Sequence, residues 1–380
     1  MTSRRQAASS PTVGFRHVAL MAVMALGPVT VLVGVGPSAG AANPSPPAVA
    51  SATAARTDGH KGSQTTTPGP APTVYALTLG TVMDPIDAGT DSVGTPITVG
   101  SDSDALAITP NGQTAYVVSP DNNSVTPVDL ATGTAGTPIT VPVPTSIAIT
   151  PNGQTAYVTS GQNSVVPITL ATGTDGTAIP AGTNPVGIAI TPNGATAYVT
   201  DNGSSTVTPI TLATGTAGTP ITVGPDPTGI AITPDGTMAY VTDKGHGEVT
   251  PITLATGTAG TPITVGAQPK AIAITPNGAT AYVTNTSSAF VSAIALATGT
   301  ASRITVGDIG QSSVVVSPDG TTAFVNSGDG VLPINTATNT PDALIHTGGA
   351  AGIAVTPDPA PVAAFTVTPA PVGGATLFNA

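Results

Sequence analysis

Beyond residue 72 the chain alternates apolar with polar or small positions in short runs, and each run stops at a turn rich in Gly, Pro or Asn. Within residues 187–223 the runs read GIAIT, TAYVT, TVTPITL and GTPITV. Alternation at this length is the period of a β-strand with one face against a core. The predicted strands are Gly187–Thr191, Thr196–Thr200, Thr206–Leu212 and Gly218–Val223. The separators agree with them. Pro192-Asn193-Gly194 reads as a tight turn, with proline presetting φ and glycine accepting the left-handed position. DNGSS at 201–205 is a longer polar loop, and ATGTA at 213–217 is a second turn. Pro209 and Pro220 place the third and fourth strands toward a sheet edge or at a bulge, because proline donates no ladder hydrogen bond.

The four-strand unit recurs. Every tyrosine falls in one register, Tyr75, Tyr116, Tyr157, Tyr198, Tyr240 and Tyr282, with Phe324 next, at intervals of 41, 41, 41, 42, 42 and 42. Residues 208–224 and 250–266 are identical, TPITLATGTAGTPITVG. A β-type repeat of this period predicts propeller blades. First strands begin near 105, 146, 187, 229, 271, 313 and 352, which makes seven. Second strands also number seven, but the earliest, Thr73–Thr78, precedes any first strand. The N-terminal side therefore supplies strands two to four of a blade, and Gly352–Thr356 supplies its innermost strand. The expectation is an all-β, seven-bladed β-propeller of four-stranded antiparallel blades over residues 73–357, closed by three N-terminal strands plus one C-terminal strand. Closure covers the edges that an open solenoid would leave unpaired.

Composition narrows the function. Charged residues are 7% of the chain, 8 Lys+Arg against 19 Asp+Glu, and the formal net charge is −11. Three basic residues, Arg4, Arg5 and Arg16, precede an apolar run from Val18 to Val35 and an Ala39-Gly40-Ala41 cleavage pattern. Residues 1–41 thus read as an export signal, and their removal leaves a net charge near −14. Such a charge argues against nucleic acid and anionic membranes as partners. No membrane insertion is expected after cleavage, and the chain is expected to be secreted or held at the cell envelope as a monomer. Residues 42–72, mostly Ala, Pro, Ser and Thr, read as a disordered linker. Cysteine is absent, which removes disulfides, thiolate metal sites and a Cys nucleophile. With aromatics at 3%, the core must be built from Ala, Val, Ile and Leu.

The units TPNGQTAYVT, TPNGATAYVT and TPDGTMAYVT resemble the YVTN β-propeller repeat, and Tyr282-Val283-Thr284-Asn285 spells its name. The resemblance covers roughly 73–357 and implies an exported, surface-associated protein. Related seven-bladed propellers include lactonase-like and lyase-like enzymes, so the fold leaves catalysis open. The tail from 358 differs. Pro361–Ala380 resembles the opening strands of a PKD domain and stops before that domain's Asp-rich part, so a truncated PKD-like segment or a disordered tail is expected.

Comparison of the units within the chain separates two sets of loops. The Pro-Asn-Gly and ATGT turns change little. The second-to-third loops (SPDNN, SGQN, DNGSS, DKGHG, NTSSA, SGD) and fourth-to-first loops (GSDSD, PVPT, GPDPT, GAQPK, DIGQS) differ from blade to blade. In a propeller these variable loops share one face, where a binding surface is expected. Its candidate ligand-binding residues are Asp102, Asp104, Asp121, Asp201, Asp226, Asp243, Lys244, His246, Lys270 and Asp308. The acidic face predicts a preference for cationic groups or polar glycans, with an extracellular protein or glycan as partner.

Catalysis finds less support. His246 and Glu248, the chain's only glutamate, could form an acid–base pair, but DKGHG matches DNGSS in length and no serine elbow is nearby. A solvated recognition loop is the better reading. Ser101-Asp102-Ser103-Asp104 lacks the glycine and closing glutamate of an EF-hand. No catalytic, metal or cofactor site is expected, and no phosphate-binding or dinucleotide motif occurs. The chain therefore reads as a non-catalytic binding or scaffold module. The alternatives are a lactonase- or lyase-like enzyme, and a structural spacer in a surface protein.

Overall fold

The computed structural model describes residues 71–78, 81–307 and 310–357, and the backbone of 366–368 and 377–379. The expected signal, linker and most of the tail lie outside the described residues. Thr366–Thr368 pairs with Leu377–Asn379 in a two-stranded sheet of its own.

Seven antiparallel sheets, six of them running outward in chain order, form a seven-bladed β-propeller. Blade 1 is the sheet that joins the two ends. Its strands, from the axis outward, are Ala350–Val355, Thr73–Thr78, Val82–Asp87 and the short pair Ser92–Val93 and Ile97–Thr98. Val74 lies opposite Val355 and Ala76 opposite Ile353. Thr73 N donates to Thr356 Oγ1 and Thr356 N to Thr73 O, both at 2.9 Å. The closure counted from the sequence is thus formed strand for strand.

Blades 2 to 7 begin with innermost strands at Ala105, Pro144, Pro185, Pro227, Pro269 and Val314. In blades 3 to 6 this is two residues earlier than the alternation indicated. A β-bulge, such as that between Pro185 and Gly187, absorbs the proline and lets pairing continue to the end of the second strand.

Outer strands depart from expectation for a related reason. In blade 4 the outer strand starts at Thr216–Ala217, breaks, and resumes at Ile221–Thr222, both pieces pairing with Thr206–Thr211. Pro209 has no N–H to offer on that side. Its carbonyl accepts Gly218 N at 2.7 Å, and three residues, Gly218, Thr219 and Pro220, bulge past Thr208 and Pro209. Blade 6 is the internal control. There Ala293 replaces the proline, the outer segment is one residue shorter, and Thr300–Thr305 pairs without a break.

Blades pack face to face with complementary sizes. Ala189, Tyr198 and Val207 of blade 4 meet Ile230, Ile232, Val241 and Ile252 of blade 5, and the blade 3–4 interface repeats the arrangement. The small alanine leaves room for the tyrosine ring, so the repeat fills its core with few aromatics. At the axis the backbones converge. A Cβ on Gly187 would come within 2.3 Å of Thr228 O, and one on Gly229 within 2.5 Å of Lys270 O. Second-strand side chains stitch these approaches. Thr200 Oγ1 donates to Thr228 O at 2.7 Å, Thr242 Oγ1 to Lys270 O at 2.9 Å and Asn326 Nδ2 to Ala350 O at 2.7 Å.

Candidate functional site

The variable loops lie on one face and bond to one another. Gly203 N donates to Thr183 O at 2.9 Å, Lys244 N to Asp226 O at 3.1 Å and Thr286 N to Gln268 O at 3.0 Å, each joining the two loops of one blade edge. Other bonds cross between blades: Asn123 Oδ1 accepts Val143 N at 2.7 Å, and Asn163 Oδ1 accepts Asn184 N at 2.9 Å. A common backbone rule underlies them. The fourth-to-first loops before blades 2 to 6 each carry one non-glycine residue at positive φ, Asp102, Val143, Asn184, Asp226 and Gln268, with φ of 54°, 43°, 53°, 52° and 54°. Gly310 and Gly349 hold positive φ before the innermost strands of blades 7 and 1. Loop sequence varies while the loop path is retained.

The opposite face is made of uniform turns. Asn193 Oδ1 accepts Thr191 Oγ1 at 2.7 Å and Ala195 N at 2.9 Å, and Gly194 sits at φ 68°. Asp235 and Asp319 repeat this cap. Hydrogen bonds from Thr233 and Thr237 hold Asp235 below the usual carboxylate range. At the rim, Tyr282 Oη donates to Asn339 Oδ1 in the turn of the next blade at 2.7 Å. Burial pushes this phenol up to about 12.

The expected binding residues divide by position. Asp102, Asp121, Asp226 and His246 are exposed on the variable loops, and Lys244 is half-buried beside them. Asp308 lies outside the described residues. Asp104 is buried immediately before the innermost strand of blade 2.

Asp201 and Asp243 differ from the expected loop setting. Each ends a second strand and is 0% exposed. Asp201 accepts Gly182 N at 3.0 Å, Thr206 Oγ1 at 3.1 Å and Thr208 Oγ1 at 2.6 Å, which ties the two loops above it to the sheet. Desolvation raises its pKa against those hydrogen bonds. Asp243 is raised to about 6, first by burial and further by Glu248, while Thr250 and His246 oppose the shift. Asp201 thus holds the loop above it from below, and Asp243 is buried at the same place in blade 5, bonded to Thr250. Sequence alone did not separate them from the exposed acids, because a strand's last residue and a loop's first look alike. Their partners at fixed spacing, Thr208 and Thr250, were the available signal.

His246 Nδ1 lies 3.9 Å from Glu248 Oε2 at the surface, and Glu248 opens the third strand opposite Asp243. The pair is solvated, and no nucleophile is bonded to it. Lys270 also moves inward from its expected loop position: it is the second residue of the innermost strand Pro269–Ile274. Its carbonyl accepts Thr228 Oγ1 at 3.0 Å as well as the Thr242 hydroxyl, so the strand is fixed beneath the side chain. Burial among the inner strands lowers its ammonium to about 8, Asp104 opposes that shift, and Lys244 adds to it. Asp104 and Lys270 belong to blades 2 and 6, which are not neighbours in the ring.

No protein family and no curated protein matches the chain in sequence. Solved structures do match it in fold. A chain of hydrazine synthase from Kuenenia stuttgartiensis is similar at TM-score 0.63 and 22% identity, over 74% of this chain and 99% of that one. A functionally unknown protein from Desulfotomaculum acetoxidans is similar at TM-score 0.67 and 18% identity, over 76% of this chain and 100% of that one. At these identities the likeness is one of architecture.

Proposed function

We propose that the chain is an exported, YVTN-type propeller that serves as a non-catalytic binding or scaffold module of the cell envelope. The face of variable loops would meet an extracellular protein or glycan. One observation carries this reading. The left-handed residue before each innermost strand fixes the path of loops whose exposed residues differ from blade to blade, whereas the other face repeats one capped turn. A rigid ring with diversified side chains on one face presents a preorganised surface, which lowers the ordering cost of association.

The test compares the full chain, after export, with a variant changed only at exposed loop positions: Asp102→Gly, Asp121→Ser, Asp226→Gly and His246→Ser. These substitutions spare the buried Asp201 and Asp243 and keep a residue suited to positive φ where one is needed. Both proteins are used to capture partners from envelope extracts and a glycan array. A partner held by the native ring and lost by the variant supports the reading. Equal capture by both, or none by either, overturns the loop-face assignment and leaves a structural spacer.

A further inference from the structure

A hollow of about 520 Å³ opens between blades 2 and 3, on the side of the ring that carries the uniform turns. The second, third and outer strands of blade 2 form its walls, and residues 170–173, in the outer turn of blade 3, close one side. Tyr116 lines it, is 6% exposed, and makes no hydrogen bond through its phenol to any described residue. Thr114, Thr134 and Thr137 line it with hydroxyls that are likewise unbonded among the described residues. Blade 6 supplies the contrast. There Tyr282 is 0% exposed and its Oη donates to Asn339 Oδ1 at 2.7 Å. Asn339 holds in the turn of blade 7 the place that Gly173 holds in blade 3. The amide thus ties the tyrosine and closes the seam, and the glycine leaves it open.

We propose that this hollow between blades 2 and 3 binds a neutral sugar unit. A buried phenol without a protein partner is costly, and a ligand hydroxyl that meets it recovers the missing hydrogen bond. The lining sets the chemistry. Its hydroxyls both donate and accept, as a polyol requires, and Asp129 is the one charged side chain among them. Thr132 N and Oγ1 donate to Asp129 Oδ1 at 2.8 and 3.0 Å and fix the carboxylate in place. These bonds lower its pKa, so at neutral pH it accepts hydrogen bonds from a ligand. A single carboxylate among several hydroxyls suits a polyol better than a cation, which favours converging anions. Pro127 and Ile139 add an apolar wall for the C–H face of a pyranose ring. The volume falls within the roughly 300–1,000 Å³ of small-ligand sites. This site lies on the opposite side of the ring from the variable loops and does not depend on the reading given for them.

The experiment is an NMR titration of the isotope-labelled full chain with the methyl glycosides of glucose, galactose and N-acetylglucosamine, and with cadaverine as an amine arm. Saturable shifts of the Thr134 and Gly136 amides are expected with at least one glycoside. Gly173→Asn copies the blade 7 turn and should close the hollow over Tyr116. The position accepts it: a Cβ there meets Ile139 Cδ1 at 3.7 Å, an ordinary contact, and Asn339 holds the equivalent place at φ 57°. Tyr116→Phe removes the phenol alone. Each variant should weaken binding about tenfold, and thermal melts confirm that both rings are intact. No saturable shift with any glycoside, shifts from cadaverine alone, or undiminished binding by either variant overturns the inference. The loop variant described above leaves every residue of this hollow in place, so sugar binding and partner capture stand or fall separately.

Discussion

Asp243 and Asn285 occupy the same place in successive blades, the last residue of the second strand, and their side chains lie beneath equivalent loop glycines, Gly224 and Gly266. In blade 6, Asn285 Oδ1 accepts Gly266 N at 3.0 Å while Nδ2 donates to Phe290 O at 3.0 Å and Ser292 Oγ at 3.1 Å. In blade 5 the carboxylate takes a hydroxyl hydrogen bond from Thr250, and its Oδ1 is buried without a partner. The amide fulfils the same structural role with no charge to desolvate.

Asp243→Asn should therefore stabilise the protein at neutral pH. A folded pKa near 6, above the unfolded value of 3.8, means that the native state holds the extra proton between those values. Stability from this group is full below about pH 4 and is lost as pH rises through 6. The variant should gain about 2 kcal/mol at pH 7.5 and close to nothing at pH 4. Melting curves of both proteins from pH 4 to 8 check this, and a pH-independent difference would contradict it. Asp201 shares the direction of the shift, whereas hydrogen bonds lower Asp129, Asp235 and Asp319, so those three lose their contribution only in acid.

Val143 is the β-branched member of the left-handed series, at φ 43°, with 46% of its surface exposed. Asp, Asn, Gln or Gly holds the equivalent place in the other blades. Val143→Asn replaces a β-branched side chain with one that tolerates the left-handed region, and keeps the N–H that Asn123 accepts. A gain of about 1 kcal/mol is expected, read as a higher denaturant midpoint with an unchanged slope. A loss of stability would show that the valine side chain makes a contact outweighing its strain.

The ring was legible because its evidence is arithmetic. The tyrosine interval and the misplaced first strand at Thr73 fix both blade number and the mode of closure. Less legible were details in which a proline acts through its neighbour. Pro209 announced a bulge, but the bulge falls in the opposing strand, at Gly218–Pro220. The binding face was located from loop variation, and its acids could not be sorted there. Asp201 and Asp226 are both in polar stretches, yet one is sealed under Gly182 and the other is exposed. Lys270 read as a loop residue because alternation begins after it. Aligning the blades on Pro269, with Thr145, Val186 and Thr228 at the same place, would have put it on the innermost strand.

Asn326 is at the position that Thr200 and Thr242 hold in blades 4 and 5, and its amide spreads over two polar atoms the bonding that each threonine concentrates on one hydroxyl. Its Oδ1 accepts the amides of Ser312 and Ser313 at 2.7 Å each, and its Nδ2 donates to Ala350 O at 2.7 Å and to Ser312 Oγ at 3.0 Å. It joins blade 7 to the innermost strand of blade 1. Asn326→Val should cost about 3 kcal/mol, because two buried amides and a carbonyl lose their partner. Thr200→Val, which strips one hydroxyl, should cost about 1 kcal/mol. Urea titrations rank the two, and equal losses would mean that the blade 7–1 seam depends on packing alone.

Closure itself can be tested by ending the chain after Thr347. This removes Ala350–Val355 and leaves Thr73–Thr78 as an unpaired edge on the axial side of blade 1. Blades 7 and 2 also lose a packed neighbour there, since Val315 and Phe324 share a core cluster with Ile353 and Val355, and Ala354 belongs to the cluster of Leu106. An exposed edge of this kind recruits other strands. The shortened chain should elute as oligomers or aggregates, and a synthetic peptide of residues 349–357 should restore a monomer by adding the missing strand. A shortened chain that stays monomeric and melts within about 2 °C of the intact protein would show that the ring holds without its closing strand.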